Sequence, residues 1–480
     1  MGSKLCAWAL LACLSWLPGA AAADDGALSR ALTRQMELNR QRYGVAGQAV
    51  LVAHNGRVLF RGSDGLADRQ RGERATPEHV FASFSLSKLF VSTLLMQLVE
   101  QGAVRLEAPI QTYLPELPQR WRPIPVRDFL DHSSGVPEYF ARDPRTGMPA
   151  LPFPKDLPSA FAALADTPLQ FAPGNDTRYT QTNYLVLTAL LERHYGQPYP
   201  QIADARILRP LKLRHTWLGP DRLPEQGVAA NYAGKDGGLQ PETDAPWPSY
   251  AYGHAALYTD IDDLGRFLQA MSAGELVGKA TLQRLWQPRT LGDGRRGGFA
   301  GGWEYGESGR YRELGHDGGT RVRARIAYTG SLDGDVYLFV YLSNGSARKV
   351  WSRVLLDSAM AAVAPDAFPR EALGEALIGY ALRAPVRGDA QAFAQLLRAD
   401  SPLSAADLER SVNASGYSIR ENLGPDPALR VFELNTQLFP DSANAWDSLA
   451  ETYAAKGDAA QAKAAYAKAR QRSERAKPGH

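Results

Sequence analysis

The chain has 480 residues, 44% of them hydrophobic and 22% charged, with 32 prolines and a formal net charge of +3. This is the composition of an ordinary folded protein, which excludes a disordered, fibrous or membrane-embedded chain, and the length predicts two or three folding units. Acids and bases are interleaved and the eight histidines lack metal-ligand spacing, so no nucleic-acid partner, no metal and no cofactor is expected.

Residues 1–23 stand apart: Lys4, an apolar run from Leu5 to Leu17, then Pro18-Gly19 and Ala21-Ala22-Ala23 ahead of Asp24-Asp25. That is the pattern of a secretory signal cleaved after Ala23. The run falls short of the about 20 apolar residues a spanning helix needs, so the mature chain is expected to be exported, periplasmic or secreted, with no integral membrane segment. Leu10-Leu11-Ala12-Cys13 is a weaker match to a lipoprotein site, because apolar residues follow it. Both cysteines, Cys6 and Cys13, fall inside this segment, which leaves the mature chain without thiol or disulfide chemistry.

Ala49–Ala53 and Arg57–Arg61 are β-rich runs joined by Asn55-Gly56, whose tolerance of positive φ suits a type I′ hairpin; the mature chain is expected to open with antiparallel strands. From Ser85 to Gln101 the pattern is apolar nearly all round and stops at Gly102, which predicts a buried helix with Ser85 and Lys88 in its first turn. Residues 105–270 read as helices and Pro/Gly-rich loops, with a helix from Asn183 to Tyr195 and Thr182 in the loop before it. Strands return at Tyr311–Leu314, Val322–Tyr328 and Val336–Leu342. The expected fold class is α/β in the α+β sense, a mixed antiparallel sheet interrupted by a helical insert.

Strands end around Pro365–Pro369, which predicts a signal peptide at 1–23, a catalytic domain at 24–365 and an all-α domain at 366–480. In that tail Trp446, Leu449, Ala450, Tyr453, Gly457, Ala462, Tyr466 and Ala469 have the spacing of a tetratricopeptide helix pair, and Gly416, Ala428, Phe432 and Pro440 fit one period upstream. Two units are too few to stand alone, so the tail is expected to dock on the catalytic domain, with Trp446, Leu449 and Tyr453 facing inward. Recruitment of a protein partner through the tail is the alternative.

The chemistry gathers around Ser85-Leu86-Ser87-Lys88. A serine hydroxyl is a poor nucleophile at neutral pH, and a lysine one turn away can take its proton if its surroundings lower the ammonium pKa. Opening a buried apolar helix, Lys88 needs polar partners. The segment Val80–Lys88 resembles the nucleophile region of the class C β-lactamase and D,D-peptidase superfamily of serine hydrolases, and Leu130–Pro137 and Ala255–Thr259 resemble later segments of it. The resemblance covers roughly residues 28–362 and implies that fold.

It further implies a Tyr-x-Asn motif, for which Tyr179-Thr180-Gln181 is the match: Tyr179 as the proton-shuttling phenol, Gln181 one methylene longer than the usual substrate-binding amide, Asn183 a possible substitute. The third motif, His-x-Gly in many esterases and peptidases, matches Gly315-His316-Asp317-Gly318-Gly319 ahead of a strand. His316 is then a hydrogen-bond donor to the site, and Gly318 lets substrate lie along the strand. Asp317 replaces a hydroxyl residue and would repel a substrate carboxylate if it faced the cleft. Arg321, Arg323 and Arg325 share a strand face, either solvated or lending positive potential. His132 is expected to be structural.

The expected function is an exported serine hydrolase acting through a Ser85 acyl-enzyme on peptide, ester or β-lactam carbonyls, peptidase or esterase favoured. The rival reading is a weakly catalytic scaffold whose tail binds a partner.

Overall fold

The computed structural model describes residues 25–144, 149–386 and 388–476, so the signal-like segment and both cysteines lie outside the described residues. Helix α1 (Asp25–Tyr43) leads into β1 (Gly47–His54), β2 (Arg57–Asp68) and β3 (Glu73–Arg74), and β4 (Phe81–Phe84) runs into α2 (Ser87–Glu100). The insert carries, among shorter turns of helix, α3 (Gln181–Tyr195), β5 (Trp217–Leu218), β6 (Tyr232–Lys235), β7 (Gly238–Pro241), β8 (Leu257–Thr259) and α4 (Ile261–Ala273). Strands β9 (Phe299–Ala300), β10 (Trp303–Ser308), β11 (Tyr311–Gly318), β12 (Val322–Tyr328) and β13 (Val336–Ser343) follow, then α5 (Ser352–Val363).

The main sheet is eight-stranded in the order β3-β2-β1-β13-β12-β11-β10-β9, so its two sequence halves meet where β1 pairs antiparallel with β13. The β1–β2 hairpin turns through Asn55 (φ 48°) and Gly56 (φ 81°), the positive pair a type I′ turn requires. Alternation along β1 sorts the two cores. Ala49, Leu51 and Ala53 join the core shared with α2 and α4, while Val50 and Val52 join the one shared with α1 and α5. With helices on both faces, β13 is buried along its whole length.

Two local expectations are corrected. The described chain opens with helix α1, not with strands: Leu28, Leu32 and Met36 recur every four residues and bury one face. The insert is not purely helical, since Asp236 (φ 51°) and Gly237 (φ 77°) turn a hairpin between β6 and β7, and β4, β8 and β5 form a three-stranded sheet.

Six helices complete the described chain: α6 (Pro369–Leu382), α7 (Asp389–Asp400), α8 (Ala405–Leu423), α9 (Pro425–Leu438), α10 (Ala443–Lys456) and α11 (Ala459–Ala476). They hold a core of their own, including Leu377, Val412, Phe432 and Ala450. Gly416 matters there because a Cβ would sit 2.6 Å from the Phe432 ring. The helices also rest on the sheet layer: Phe368 packs on Tyr311, Tyr337 and Phe339, Arg42 pairs with Glu375 at 2.5 Å, and the Ser308 hydroxyl donates to Glu371 at 2.6 Å. A groove of about 830 Å³ runs between α5, α6 and α8, with Ser85 not in its lining.

Leu449 is buried as expected, but Trp446 and Tyr453 are only half-buried. The Trp446 indole donates to the Pro440 carbonyl at 2.9 Å and carries the Lys468 ammonium 4.1 Å over its ring. A full-burial cost therefore does not apply to Trp446. Phe368→Ala is expected to cost about 3–5 kcal/mol, and Trp446→Ala clearly less, in urea melts of the whole chain; equal costs would place the tail's anchor elsewhere.

Candidate active site

Ser85 lies between β4 and α2, in a turn closed by Leu86 N–H to the Ser83 carbonyl and Lys88 N–H to the Ser85 carbonyl, both 3.0 Å. Regular helix begins at Ser87 rather than at Ser85. The preceding Phe84 adopts φ 47°, a left-handed conformation costly for a bulky residue, which must be held by its surroundings. The end of β11 does the holding. A Cβ at Gly318 would stand 2.4 Å from the Ser83 carbonyl oxygen, and one at Gly319 2.7 Å from the Phe84 ring. These glycines admit the nucleophile turn, so Gly318 meets protein backbone where substrate backbone was expected.

Lys88 is fully buried, and its ammonium nitrogen has three neighbours: Gln181 Oε1 at 2.6 Å, the His254 carbonyl at 2.7 Å and Ser85 Oγ at 3.3 Å. Burial pulls its pKa well below the usual lysine value, against the opposing pull of Glu138 and Glu304. Tyr179 donates its hydroxyl to Ser85 Oγ at 2.8 Å. Its ring stacks on Phe299, lies tilted against His132 and stays 37% exposed, which leaves one side of the site open. Desolvation pushes its phenol above 10.

Helix α3 begins at Gln181, so Gln181, Thr182 and Asn183 are helical, not loop residues. Its first N–H is taken by the Glu138 carboxylate, 3.1 Å from both oxygens. The Gln181 amide oxygen binds Lys88, and the same side chain reaches the Tyr179 phenol. Asn183 is buried between Ser134 and His132, so it is no substitute for the substrate-binding amide. His132 is buried with Nδ1 accepting from the Thr180 N–H at 3.3 Å, a structural post beneath Tyr179.

The His316 motif ends β11 rather than merely preceding a strand. His316 Nδ1 lies 2.5 Å from the Asp317 carbonyl, which can only accept, so the proton sits on Nδ1. Burial lowers its pKa, and Nε2 is buried without a partner among the described residues. Neutral His316 thus presents an acceptor, where a donor was expected.

Asp317 projects to the other side of β11, paired with Arg323 at 2.8 Å and Arg325 at 2.9 Å, with Arg353 at 3.6 Å. It does not bear on a ligand beside Ser85, and the argument that it would repel a substrate carboxylate falls with it. Arg325 also binds Glu304 at 2.5 Å, and Arg321 binds Glu242. These arginines are neither solvated nor lending uncompensated charge.

Sequence reasoning missed Glu138, Glu304 and His254. Glu138 follows the recognised Leu130–Pro137 segment by one residue, yet a glutamate in a Pro-Glu-Tyr loop reads as surface. His254 contributes a backbone carbonyl, which no residue pattern marks.

A family model described as Beta-lactamase matches residues 28–353. "Esterase EstB" of Burkholderia gladioli is 27% identical over 337 residues, covering 60% of this chain and 81% of its own. "D-aminopeptidase" of Brucella canis (strain ATCC 23365 / NCTC 10854 / RM-666) is 26% identical over 287 residues, covering 58% of this chain and 53% of its own, so this chain spans about half the length of that relative. Among solved structures, "EstCE1, a hydrolase with promiscuous acyltransferase activity" superposes with a TM-score of 0.60 at 22% identity, over 71% of this chain and 99% of that one. The octameric penicillin-binding protein homologue from Pyrococcus abyssi gives 0.61 at 20%, over 74% and 82%. At such identities the likeness is one of fold.

Gly318→Ala is expected to push β11 off the Ser83 carbonyl and displace Ser85; a shift of ~1 Å can cost about 100-fold in rate. The check is the rate of labelling by a fluorophosphonate probe, which should fall at least tenfold while far-UV dichroism is unchanged.

Proposed function

We propose, for a chain that belongs to the β-lactamase family and is a serine hydrolase of that fold, that Ser85 is acylated by ester or peptide carbonyls with Lys88 as its base. One observation carries this reading: Ser85 Oγ lies within 3.3 Å of a buried, pKa-lowered lysine amine and 2.8 Å from a phenol. As Oγ bonds to the carbonyl carbon, its proton passes to the Lys88 lone pair and the carbonyl π electrons move to oxygen. Collapse expels the alcohol or amine, which takes a proton from Lys88 directly or through Tyr179. Water then attacks the ester by the same steps reversed. Tyr179, with its pKa raised, keeps its proton at neutral pH and serves as donor.

Esters and peptides are favoured over β-lactams because the Gln181 amide oxygen is taken by the buried Lys88 amine rather than turned to a substrate amide. The esterase and D-aminopeptidase relatives point the same way. Intact Ser85, Lys88 and Tyr179 geometry counts against a pure scaffold. We further propose that residues 1–23 direct export and that the domain division falls between residues 365 and 366, with the tetratricopeptide-like tail acting as a docked cap.

Ser85→Ala should abolish fluorophosphonate labelling, read by intact mass, with the thermal melt nearly unchanged; retained labelling would remove Ser85 from the reaction. Lys88→Ala and Tyr179→Phe should each slow acylation by roughly 100 to 10,000-fold. Because the base is the neutral amine, acylation should rise as pH rises through the lowered Lys88 pKa and reach a plateau below pH 10. A rate falling with pH across that range would contradict the assignment. Turnover of nitrocefin should trail that of a p-nitrophenyl ester.

A further inference from the structure

A neutral amine has two N–H bonds and one lone pair. The two shortest contacts of Lys88 are to the Gln181 amide oxygen and the His254 carbonyl, and a carbonyl oxygen can only accept. With both N–H bonds spent on them, the lone pair is left facing Ser85 Oγ. Lys88 is therefore oriented as a base by whatever holds those two acceptors in place.

Both are held from one dipeptide. The Glu138 carboxylate takes the Gln181 N–H through both oxygens at 3.1 Å and so fixes the residue that opens α3. The Tyr139 hydroxyl is 3.0 Å from His254 Nε2 and fixes the ring of the residue whose carbonyl Lys88 meets. The two side chains diverge from adjacent positions, one toward each acceptor. Tyr139 is itself wedged against Phe140, Phe153 and Tyr250, which gives the bracket a rigid footing. Glu138 additionally places a negative charge toward Lys88, the two acting on each other's ionisation.

We infer that Glu138 and Tyr139 are positioning residues that aim the Lys88 lone pair at Ser85. This rests on the reading of Ser85 as nucleophile and Lys88 as base. The other groups bearing on Lys88 are Glu304 from β10, Arg142 from the loop after Glu138, His132, His316 and His254, and the rings of Tyr179 and Tyr184. Unlike these, Glu138 both contacts a residue that supplies an acceptor to Lys88 and carries a charge opposite to the ammonium. Glu304 is bound to Arg325.

The test measures acylation of the full chain by a fluorophosphonate probe, and kcat and KM on a p-nitrophenyl ester, from about pH 5 to 10. Glu138→Gln keeps an oxygen for the Gln181 N–H but removes the charge, so the ammonium loses support and the rising limb should move to lower pH by about 0.5–1 unit. Glu138→Asp, which keeps the charge, should leave the limb where the parent has it. Tyr139→Phe retains the ring packing and removes no charge; the limb should stay while plateau kcat drops about tenfold with KM unchanged. A parent-like limb in Glu138→Gln, or a parent-like plateau in Tyr139→Phe, would overturn the inference, whatever the melting temperatures do. Retained labelling of Ser85→Ala is a separate result, striking at the nucleophile and not at the bracket.

Discussion

Everything in this fold converges on one buried nitrogen. Helix α2 is apolar almost all round, so Lys88 is carried into a dry interior where an unpartnered amine would cost several kcal/mol. Its neighbours cannot come from α2 alone. One is supplied by the start of α3, another by the short helix around His254 and the third by the turn before α2, three segments separated by some hundred and seventy residues of chain. The insert must therefore fold back over α2 before the lysine is satisfied. The same desolvation that makes this demand lowers the pKa, so the structural cost and the basicity of the amine have one physical origin.

A second constraint comes from β11. Alternation along the strand sends His316 toward Tyr179 and Asp317 into the arginines on the other side, and ends at two glycines against which Ser83 and Phe84 press. A slip of one residue would exchange these faces and bring a side chain against the strained Phe84 turn. Register is thus as much part of the site as any side chain. It is pinned by seven pairings with β12, from Arg312 opposite Tyr328 to Gly318 opposite Val322.

What the sequence disclosed follows from what sequence patterns encode. The hairpin at Asn55-Gly56, the buried helix ending at Gly102 and the strand from Val322 to Tyr328 were legible because positive φ and apolar periodicity leave local marks. Ser85, Lys88, Tyr179 and His316 were picked from motif order, and the fold brings them together. The misreadings were about direction. Asp317 and Arg323 face away from Ser85, and the His316 tautomer is fixed by a backbone carbonyl of its neighbour; neither depends on residue type. Helix α1 carries a fainter mark, Leu28, Leu32 and Met36 recurring among polar residues directly after the secretory pattern. Trp446 fitted its repeat position but not the burial inferred from it, since it packs at the edge of the tail core and stays half-buried beneath Lys468.

The arginines behind β11 tie the tail to the site. Arg323 keeps only 12% of its side chain exposed and faces Asp317 and Glu313 on β11, Asp357 on α5 and Glu304 on β10. Asp357, held by burial at a pKa of about 7, is also under the charge of Glu371 on α6, and Glu371 accepts from Ser308 at the end of β10. A buried network of this kind contributes little net stability, since desolvation offsets attraction, but it disfavours any arrangement that leaves a member unpaired. Sliding α6 along the sheet would strand Glu371, and rotating α5 would carry Asp357 away from Arg323. The charges thus run from Asp317, the residue bonded to His316, through Arg323 and Asp357 to Glu371 on α6.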